Sequence, residues 1–446
     1  MDNINKKTNT TIAMTVFFLG IFMGALDTGI ISPARGVIAY NLRLTQSASI
    51  WMVTIYTLVE AVSMPITGKL ADRLGRKRIY ITCIILFITG SILCWVSNIT
   101  ESYNLLLIGR GIQALGGGGV MPVATSYIGA SFPPEKRGTA LGFVGATYGI
   151  ATIIGPTLGT AILSISGNNN WGYLFLVNAP ISVIIIALAL TLPENKDTSA
   201  LKKLDFLGAI ILSIVISSLM YALLNLQFFD FENSIKSTDV WPFLLIFIVS
   251  LPLFIFIEKK VEDPILNLKF FTNKQIVILF ILNFIIGSGL MGVVFIPQFG
   301  ENVLKIKSGT GGYVVTLFAV FTGVSSPLGG RLIDKYGPKK LLLAGFLCTV
   351  IGSFYQAFVT ANNPTFMNLA IGIAFMGLGM GFTIGTPINY LMMSLVNGDE
   401  VSIGQSTVSL FKSIGVAISP NLLVNFVSDA GQKMPGLRRT SEERWV

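Results

Sequence analysis

The sequence contains no histidine, only three cysteines and few charged residues, and each of these scarcities excludes a class of function. With no imidazole available, any proton transfer must use Asp, Glu or Lys side chains. Cys83, Cys94 and Cys348 lie in apolar segments, where a thiol behaves as a small core residue, so we expect no disulfide framework. The charged fraction of 12% is about half of the ~25% found in soluble domains, which excludes an ordinary soluble protein.

The sequence also lacks the motifs of nucleotide and metal chemistry. A run of four glycines at residues 116–119 has neither the Gly-Lys-Ser/Thr ending nor the preceding strand of a phosphate-binding loop. There is no metal-ligand spacing and no catalytic triad pattern. We therefore expect no cofactor, no metal and no enzymatic activity. The net charge of +9 suggests a nucleic-acid partner, but its placement between apolar runs indicates membrane orientation instead.

Long apolar runs dominate what is present, since 52% of the residues are hydrophobic. A helix that crosses a bilayer needs ~20 apolar residues, and many windows meet this length. The first run, from Thr11 to about Pro33, lacks a small-residue cleavage site and is too long for a signal peptide. The pattern predicts an all-α polytopic membrane protein with spans near 11–33, 48–68, 79–98, 103–125, 138–163, 173–192, 206–226, 241–258, 274–297, 311–329, 340–360, 366–393 and 403–427.

A basic turn occurs twice in the chain, at a spacing of 262 residues. Residues 68–78 read GKLADRLGRKR, and residues 330–340 read GRLIDKYGPKK; Pro65 and Pro327 keep the same spacing upstream. A turn repeated between spans indicates that one bundle was duplicated, and it places both copies on the same membrane face. Spans 1–6 are then one six-helix bundle, span 9 begins the second, and spans 7 and 8 are inserted between them.

The distribution of Lys and Arg predicts the orientation of the chain. Twenty of these residues fall in segments on the side of the basic turns and five in the opposite loops, so the N-terminus is predicted to be cytoplasmic. We expect residence in the cytoplasmic membrane. The frequent Ile, Asn and Lys residues indicate an AT-rich coding sequence, which is typical of a low-GC bacterium. The predicted divisions are a six-helix bundle at 1–195, a linker with two inserted helices at 196–272, an incomplete second bundle at 273–430 and a polar basic tail at 431–446.

The repeat makes the C-terminal region anomalous. The sixth span predicts a partner near 435–454, but residues 435–446 are too polar to cross a bilayer. A thirteenth span at the end also leaves a basic tail on the outer side, against the charge rule. We therefore expect that a final span is missing from this sequence; the alternative is a natural variant with thirteen spans.

Four charged residues lie well inside predicted spans: Asp27, Glu60, Arg110 and Lys412. Ionisable groups in a bilayer are costly and mark a transport pathway, a proton relay or a mutual pair. Asp27 is about 22 Å from the inner end of span 1 and Arg110 about 9 Å from the outer end of span 4. In a core of ~30 Å these depths coincide, so the two side chains can pair. Glu60 lies nearer the midplane and has no assigned partner.

Two interpretations of these charges remain open. Burial raises the pKa of a carboxyl group, and a nearby cation lowers it. An acid whose surroundings alternate can therefore load and unload a proton. On this interpretation Asp27 or Glu60 carries the proton, and Arg110 sets its protonation. On the other, Asp27 and Arg110 form a structural salt bridge between spans 1 and 4. For Lys412 we expect packing or snorkelling of the side chain.

Several of these motifs resemble those of the major facilitator superfamily, and specifically its fourteen-span drug:H+ antiporter branch. The basic turn at 68–77 fits the loop signature of the superfamily at every characteristic place. Residues 26–28 (LDT) resemble the acidic motif in the first span of drug antiporters. Residues 110–113 (RGIQ) resemble the span-4 signature, although Ala114 stands where glycine is usual.

Further segments extend the resemblance over residues 10–427. Gly142 together with residues 155–159 (GPTLG) resembles the antiporter motif of span 5, with two of its glycines replaced. Residues 171–180 resemble the span-6 entry of the branch, without its usual arginine. Residues 204–208 and 262–266 resemble markers that flank the two inserted spans.

The resemblance implies alternating access, in which two bundles rock about a central site and a proton enters as the substrate leaves. It implies that the span-5 residues Gly142, Gly155, Pro156 and Gly159 seal the bundle against leakage. The second bundle has no acid inside its spans, so coupling should lie in the first, and candidate polar contacts to substrate are Asn283, Gln298, Asn389 and Tyr390. The residues implied to latch the halves on the cytoplasmic side are Gly68, Asp72, Arg73, Gly75, Arg76, Lys77, Gly330, Asp334 and Gly337.

We therefore predict a monomeric, proton-coupled antiporter that exports amphipathic, cationic drugs or toxic compounds and confers multidrug and antibiotic resistance. Its expected partners are protons, small amphipathic substrates and the lipid bilayer. Two alternatives stay open: a carrier of the same fold for a metabolite, a lipid or an anionic antibiotic, and a membrane scaffold or sensor that transports nothing. A scaffold has no need for an acid such as Glu60 within the bilayer.

Overall fold

The computed structural model describes residues 2–132, 134–192, 205–227, 230–292, 312–384 and 386–433. All regular secondary structure within these ranges is helical, which confirms the predicted all-α class. The α-helices are α1 (Asp2–Asn41), α2 (Gln46–Leu74), α3 (Arg76–Ile99), α4 (Tyr103–Ser131), α5 (Pro134–Ser166), α6 (Tyr173–Leu176), α7 (Asn178–Leu190), α8 (Phe206–Asn225), α9 (Phe231–Ile235), α10 (Trp241–Glu258), α11 (Lys269–Thr272), α12 (Lys274–Gly292), α13 (Gly312–Tyr336), α14 (Pro338–Phe354), α15 (Phe366–Thr383), α16 (Thr386–Leu395) and α17 (Val401–Lys433).

The helices agree with the predicted membrane spans. Every predicted span overlaps a helix, and in the described residues ten helical stretches are long and apolar enough to cross a membrane. A further apolar stretch, Lys274–Leu290 in α12, is shorter. The chain is therefore a multi-pass membrane protein.

The segment predicted as one span at 366–393 is one apolar stretch, Phe366–Leu395, and it contains a break between helices α15 and α16. Helix α15 ends at Thr383, four residues before Pro387, and Ile384 has an extended conformation with ψ 111°. Proline lacks an N–H group, and its ring collides with the carbonyl four residues earlier, so a helix ends there readily. The break lies where the sequence pattern alone shows an uninterrupted apolar run.

Two halves and an insertion make up the fold. Helices α1–α7 form the first half, with cores around Phe17 and Phe87 and around Leu26 and Trp171. Helices α12–α17 form the second half. The insertion consists of α8–α10, in which α8 packs against α10 and also contacts both α2 and α17. The insertion therefore lies beside the seam between the halves.

The seam itself is formed by α5 against α13 and by α17 against α2 and α4. A Cβ atom on Gly68 would lie 2.1 Å from Ser406 Oγ, and one on Gly142 would lie 2.8 Å from the carbonyl oxygen of Ser326. A Cβ on Gly330 would lie 2.4 Å from the carbonyl oxygen of Gly138. These glycines let the helices of opposite halves approach more closely than any larger residue permits.

The two basic turns have the same backbone geometry. Gly75 has φ 101° between α2 and α3, and Gly337 has φ 85° between α13 and α14. Side chains with a Cβ rarely adopt these angles, so glycine at both positions follows from the sharp reversal of the chain. We call the end of the molecule that carries both turns the basic-turn end.

Candidate functional site

The carboxylate of Asp27 lies at the centre of a buried polar network in the first half. Its Oδ2 atom forms an ion pair with Arg110 Nη1 at 2.9 Å, so the pairing inferred from depth along the spans is present. Oδ1 accepts hydrogen bonds from Gln113 Nε2 and from Asn178 Nδ2, each at 2.8 Å. Asp27 and Arg110 are only 3% and 1% exposed. Three donors therefore occupy both oxygens of this carboxylate.

The guanidinium group of Arg110 is held on several sides. Its Nε donates to the carbonyl oxygen of Met52 at 3.3 Å, and its Cζ lies 4.0 Å from the centre of the Tyr56 ring. Nη1 also donates to Gln113 Oε1 at 2.6 Å. These contacts join α4 to α1 and α2. Sequence reasoning assigned no role to Gln113 or Asn178, although an amide in an apolar span signals a buried hydrogen-bond partner.

Glu60 lies on α2 one helical turn beyond Tyr56, and its environment differs from that of Asp27. The carboxylate is half-buried, and within the described ranges it has no hydrogen bond and no ion pair. Its position is set by the glycine run of α4, since a Cβ on Gly117 would lie 2.7 Å from Tyr56 Oη and 3.7 Å from Glu60 Oε1. Glu60 is thus an acid with no fixed partner close to the seam.

The four glycines of α4 lie against two neighbouring helices, α2 and α3. A Cβ on Gly116 would lie 2.2 Å from the carbonyl oxygen of Cys83, and one on Gly119 would lie 2.4 Å from Cys83 Sγ, both on α3. Gly117 and Gly118 face α2 instead, where a Cβ on Gly118 would lie 2.5 Å from the carbonyl oxygen of Glu60. The run lets α4 lie tightly against two helices at once.

Lys412 packs across the seam, against residues of the first half. Its backbone packs on α12, where a Cβ on Gly287 would lie 2.1 Å from the Lys412 carbonyl oxygen. Its Nζ lies 3.8 Å from Met121 Sδ and 5.0 Å from the centre of the Tyr148 ring, both in the first half. The depth of Lys412 was readable from the sequence, but its direction was not.

At the basic-turn end, Asp72 of the first half binds the start of α17 in the second. Its Oδ1 accepts a hydrogen bond from the Ser402 N–H at 3.0 Å, and its Oδ2 accepts one from the Ile403 N–H at 2.8 Å. Free N–H groups and a positive dipole end make a helix N-terminus a favourable place for a carboxylate. Arg76 supports this contact, which we call the Asp72 bridge, by pairing with Asp72 at 3.2 Å and donating to Gly398 O at 3.0 Å.

Asp334 makes the reciprocal contact from the second half to the first. Its Oδ1 accepts from the Gly138 N–H, and its Oδ2 from the Thr139 N–H, both at 2.9 Å near the start of α5. The Thr139 hydroxyl also donates to Oδ2 at 2.5 Å. The acids are 262 residues apart, and the amides that they bind are 264 apart. This Asp334 bridge is therefore the repeat counterpart of the Asp72 bridge.

Lys69, Arg73 and Lys77 of the first basic turn bind the insertion segment and the end of α7. Lys69 Nζ and Arg73 Nη1 lie 2.5 and 3.7 Å from the carboxylate of Asp263, in the segment between α10 and α11. Lys77 donates to the carbonyl oxygens of Leu190 and Leu192, at the C-terminal end of α7. Of the three cations implied to latch the halves, only Arg76 contacts α17 or the turn before it.

The span-5 residues serve two different interfaces. Gly142 lies against α13 at the seam, as described above. Gly155 lies against α1, where its Cβ would be 2.7 Å from the Cα of Gly29. Gly159 is buried, whereas Pro156 is exposed.

The residues proposed to contact substrate have mixed surroundings. Asn283 is buried and donates to the carbonyl oxygen of Val408 at 2.5 Å, so its amide ties α12 to α17. Asn389 is buried, and its carbonyl oxygen accepts from Gln405 Nε2 at 2.8 Å. Tyr390 packs on the apolar core of the first half. Gln298 lies outside the described residues.

Comparison with known proteins assigns the chain to a family. The profile of the Major Facilitator Superfamily matches residues 17–420. The chain belongs to this superfamily. It is 36% identical over 422 residues to the uncharacterized MFS-type transporter YfiU of Bacillus subtilis, covering 93% of this chain and 79% of that protein. It is 30% identical over 423 residues to the multidrug transporter protein MdtP of the same species, covering 93% and 75%.

A solved structure supports the same assignment at the level of the fold. The human organic anion transporter MFSD10 matches with a TM-score of 0.67 at 15% identity, covering 93% of this chain and 92% of that one. The superfamily consists of transporters, and the chain is accordingly a multi-pass membrane transporter with multidrug transporters among its relatives. The resemblance recognised from the motifs is confirmed, as is the prediction that the chain is not an enzyme.

Proposed function

We propose that this transporter is a proton-coupled antiporter that exports amphipathic, cationic compounds by alternating access. The carrying observation concerns two charged residues: Glu60 is an acid of the first half without a fixed partner among the described residues, and Lys412 is a cation of the second half whose side chain crosses the seam. The multidrug relatives support the substrate class. Two halves that rock against each other change the distance between these two charges, which gives Glu60 surroundings that alternate.

Glu60 is a better candidate for the proton carrier than Asp27. The Asp27 carboxylate accepts three hydrogen bonds, one of them from a guanidinium group, and protonation would require these donors to rearrange. Glu60 has no such donors among the described residues. Asp27, Arg110 and Gln113 then act as positioning residues, since Arg110 packs on the ring of Tyr56, one turn from Glu60.

A cationic substrate fits this arrangement because it can replace Lys412 as the partner of the Glu60 carboxylate. When the substrate leaves, a proton binds to Glu60 and neutralises it. The proton and the cationic substrate therefore cannot bind to this carboxylate at the same time. Competition for a single carboxylate is a simple physical basis for exchange. It requires no cofactor and no nucleotide.

We assign the basic-turn end to the cytoplasm, because Lys and Arg residues concentrate there. The Asp72 and Asp334 bridges join the halves at this end, so they would latch the transporter closed toward the cytoplasm. In the same proposal the chain resides in the cytoplasmic membrane with its N-terminus inside.

Dye transport in proteoliposomes tests the proposal. An imposed pH gradient is followed together with the movement of an ethidium-like dye for the wild type, Glu60→Gln and Asp27→Asn, with the exposed Glu232→Gln as matched control. We expect the wild type and Glu232→Gln to dissipate the gradient as dye moves, and Glu60→Gln to abolish this coupling. Dye movement without proton flux in the wild type overturns antiport. Loss of coupling in Asp27→Asn alone would transfer the carrier role to Asp27.

Lys412 favours a second candidate function, a carrier of anionic or zwitterionic compounds. A half-buried ammonium group at the seam attracts a carboxylate as readily as Glu60 attracts a cation. Competition against the dye separates the two candidates. Inhibition by cationic but not by anionic aromatic compounds supports the antiporter for cations. Inhibition by anionic compounds that disappears in Lys412→Met supports the alternative.

A further inference from the structure

Two buried carboxyl groups meet at the basic-turn end of the insertion, away from the site between the halves. Asp205 directly precedes α8 and Glu258 is the last residue of α10, and they are 8% and 2% exposed. A Cβ on Gly208 would lie 2.1 Å from Asp205 Oδ2 and 2.8 Å from Glu258 Oε2. Both oxygens therefore converge on the same glycine of α8, from two different helices.

Each carboxyl group has one oxygen that is hydrogen-bonded and one that is not. Asp205 Oδ1 accepts from the Gly208 N–H at 2.8 Å, and Glu258 Oε1 accepts from the Leu266 N–H at 2.6 Å. In the part of the chain that the structure describes, Asp205 Oδ2 and Glu258 Oε2 are buried with no donor. Two ionised carboxylates can only accept, so a hydrogen bond between them requires a proton on one of the two.

The surrounding cations have other partners. On α2, Lys69 and Arg73 face Asp263. Lys260 lies with its Nζ 3.9 Å from the centre of the Phe256 ring. Within the described ranges neither Asp205 nor Glu258 has an ion pair. Other charged groups of the adjoining segments are the exposed Lys259, Glu262 and Lys269 and, in the turn before α17, Glu400. In the sequence Lys202 and Lys203 precede Asp205, and both lie outside the described residues.

We propose that Asp205 and Glu258 share one proton and form a second proton-binding site, which responds to the pH on the basic-turn side. A carboxylic acid beside a carboxylate satisfies both orphan oxygens with one short hydrogen bond and reduces the buried charge from two to one. The site binds no substrate. It does not depend on which compound the transporter carries or on whether transport is coupled to protons.

The pair is linked to the seam by the segment that follows α10. Glu258 fixes the backbone at Leu266, while Asp263 in the same turn binds Lys69 and Arg73 of α2. The amide of Asn267 donates to Glu400 Oε1 at 2.5 Å, just before α17 begins. Residues 263–267 therefore touch both sides of the seam beside the Asp72 bridge. Loss of the shared proton leaves two adjacent negative charges, which repel and release Glu258 from its position.

The direct test is the infrared absorption of the full chain, reconstituted in lipid nanodiscs and titrated on both faces. We expect a carbonyl stretching band of a protonated carboxyl group at neutral pH in the wild type and in the exposed variant Glu262→Gln. The band should be absent in Glu258→Gln and in Asp205→Asn. In either variant the new amide donates to the remaining carboxylate, so the geometry is preserved without a proton, and Asn caps α8 as well as Asp does.

The second measurement is thermal unfolding in detergent between about pH 5 and about pH 9. A folded state that binds one extra proton loses stability as pH rises, by at most about tenfold in its equilibrium constant per pH unit. We expect this loss in the wild type and Glu262→Gln, and a much flatter profile in Glu258→Gln and Asp205→Asn. Hydrogen exchange at residues 263–267 should increase with pH in the first two proteins and stay constant in the other two.

Two outcomes would overturn the shared proton. If the band at neutral pH persists in both Glu258→Gln and Asp205→Asn, it belongs to another acid. If Na+ restores wild-type stability at high pH while choline does not, the two oxygens bind a metal cation rather than a proton. Because none of these readouts requires transport, failure of the antiport proposal leaves this one standing, and the reverse also holds.

Discussion

Asp72 and Ile403 belong to opposite halves of the transporter and are joined by a hydrogen bond of 2.8 Å from the backbone N–H to the carboxylate. The contact places a negative charge at the start of α17, where the helix dipole is positive. Its counterpart joins Asp334 to Thr139 at 2.9 Å. The same physical device is thus used in both directions across one seam.

Neutralising either acid should favour opening of the basic-turn end. In Asp72→Asn and in Asp334→Asn the side chain keeps its shape but loses the charge, which is worth up to about 2 kcal/mol at a helix terminus. We expect an increase of roughly tenfold in the labelling rate of a cysteine placed in α17 near Ser402, measured with a thiol reagent from that side. The exposed Asp239→Asn serves as the control and should label at the rate of the parent protein. Equal rates in all four proteins would show that the bridges do not hold the seam.

The glycine run of α4 predicts a matched pair of substitutions. Gly117→Ala places a methyl group 2.7 Å from Tyr56 Oη, whereas a Cβ on Gly111 in the same helix meets nothing within 4 Å. We expect Gly117→Ala to displace Tyr56 and Glu60 and to reduce dye transport severalfold or more, while Gly111→Ala retains parental activity. A third variant, Gly118→Ala, forces α2 away at the backbone of Glu60 and should destabilise the fold by about 1–3 kcal/mol. Parental transport by Gly117→Ala would show that α2 can move away from α4 without a loss of transport activity.

The buried pair of Asp27 and Arg110 predicts a strong double-mutant coupling. Arg110→Met alone leaves a buried carboxylate without its cation, which costs about 3–5 kcal/mol when the partner is removed. Adding Asp27→Asn to this variant removes the uncompensated charge, so we expect the double variant to be more stable than Arg110→Met. Thermal unfolding in detergent measures both. Additive losses would mean that the two side chains do not interact in the membrane.

Asn283 tests whether a buried amide in the second half serves structure or substrate. In the described part of the chain its side chain donates one hydrogen bond, to the carbonyl oxygen of Val408, so Asn283→Ala should lower stability by about 1 kcal/mol through that lost bond. We expect the relative transport of different dyes to stay unchanged. A changed dye preference at unchanged stability would return Asn283 to the set of substrate contacts.

The sequence was sufficient to predict features that repeat along the chain and features whose composition differs from that of a soluble protein. The spacing of 262 residues between the basic turns predicted two related halves, and apolar length predicted the spans. The depths of Asp27 and Arg110 predicted their ion pair, because the position of a residue along a membrane-spanning helix gives its depth in the bilayer.

Direction around a helix and contact between distant helices could not be predicted in the same way. Lys412 was expected to pack or snorkel, but the half of the molecule against which it packs could not be predicted, because rotation about the helix axis depends on neighbours that sequence distance does not specify. Asp205 and Glu258 lie on separate helices, and only the packing of α8 on α10 brings their oxygens together. Gln113 and Asn178 were unassigned because a buried amide does not reveal which acid it will meet.

The reciprocal arrangement of the two aspartate bridges makes the closure of the seam bivalent. Once one bridge has formed, the other carboxylate and its helix end face each other at a high effective concentration, so the second contact forms at a reduced entropic cost. A transient break of one bridge therefore does not open the seam while the other bridge holds, because the broken contact re-forms before the halves separate. The basic-turn end should open in one concerted step, and weakening either bridge should accelerate the release of both.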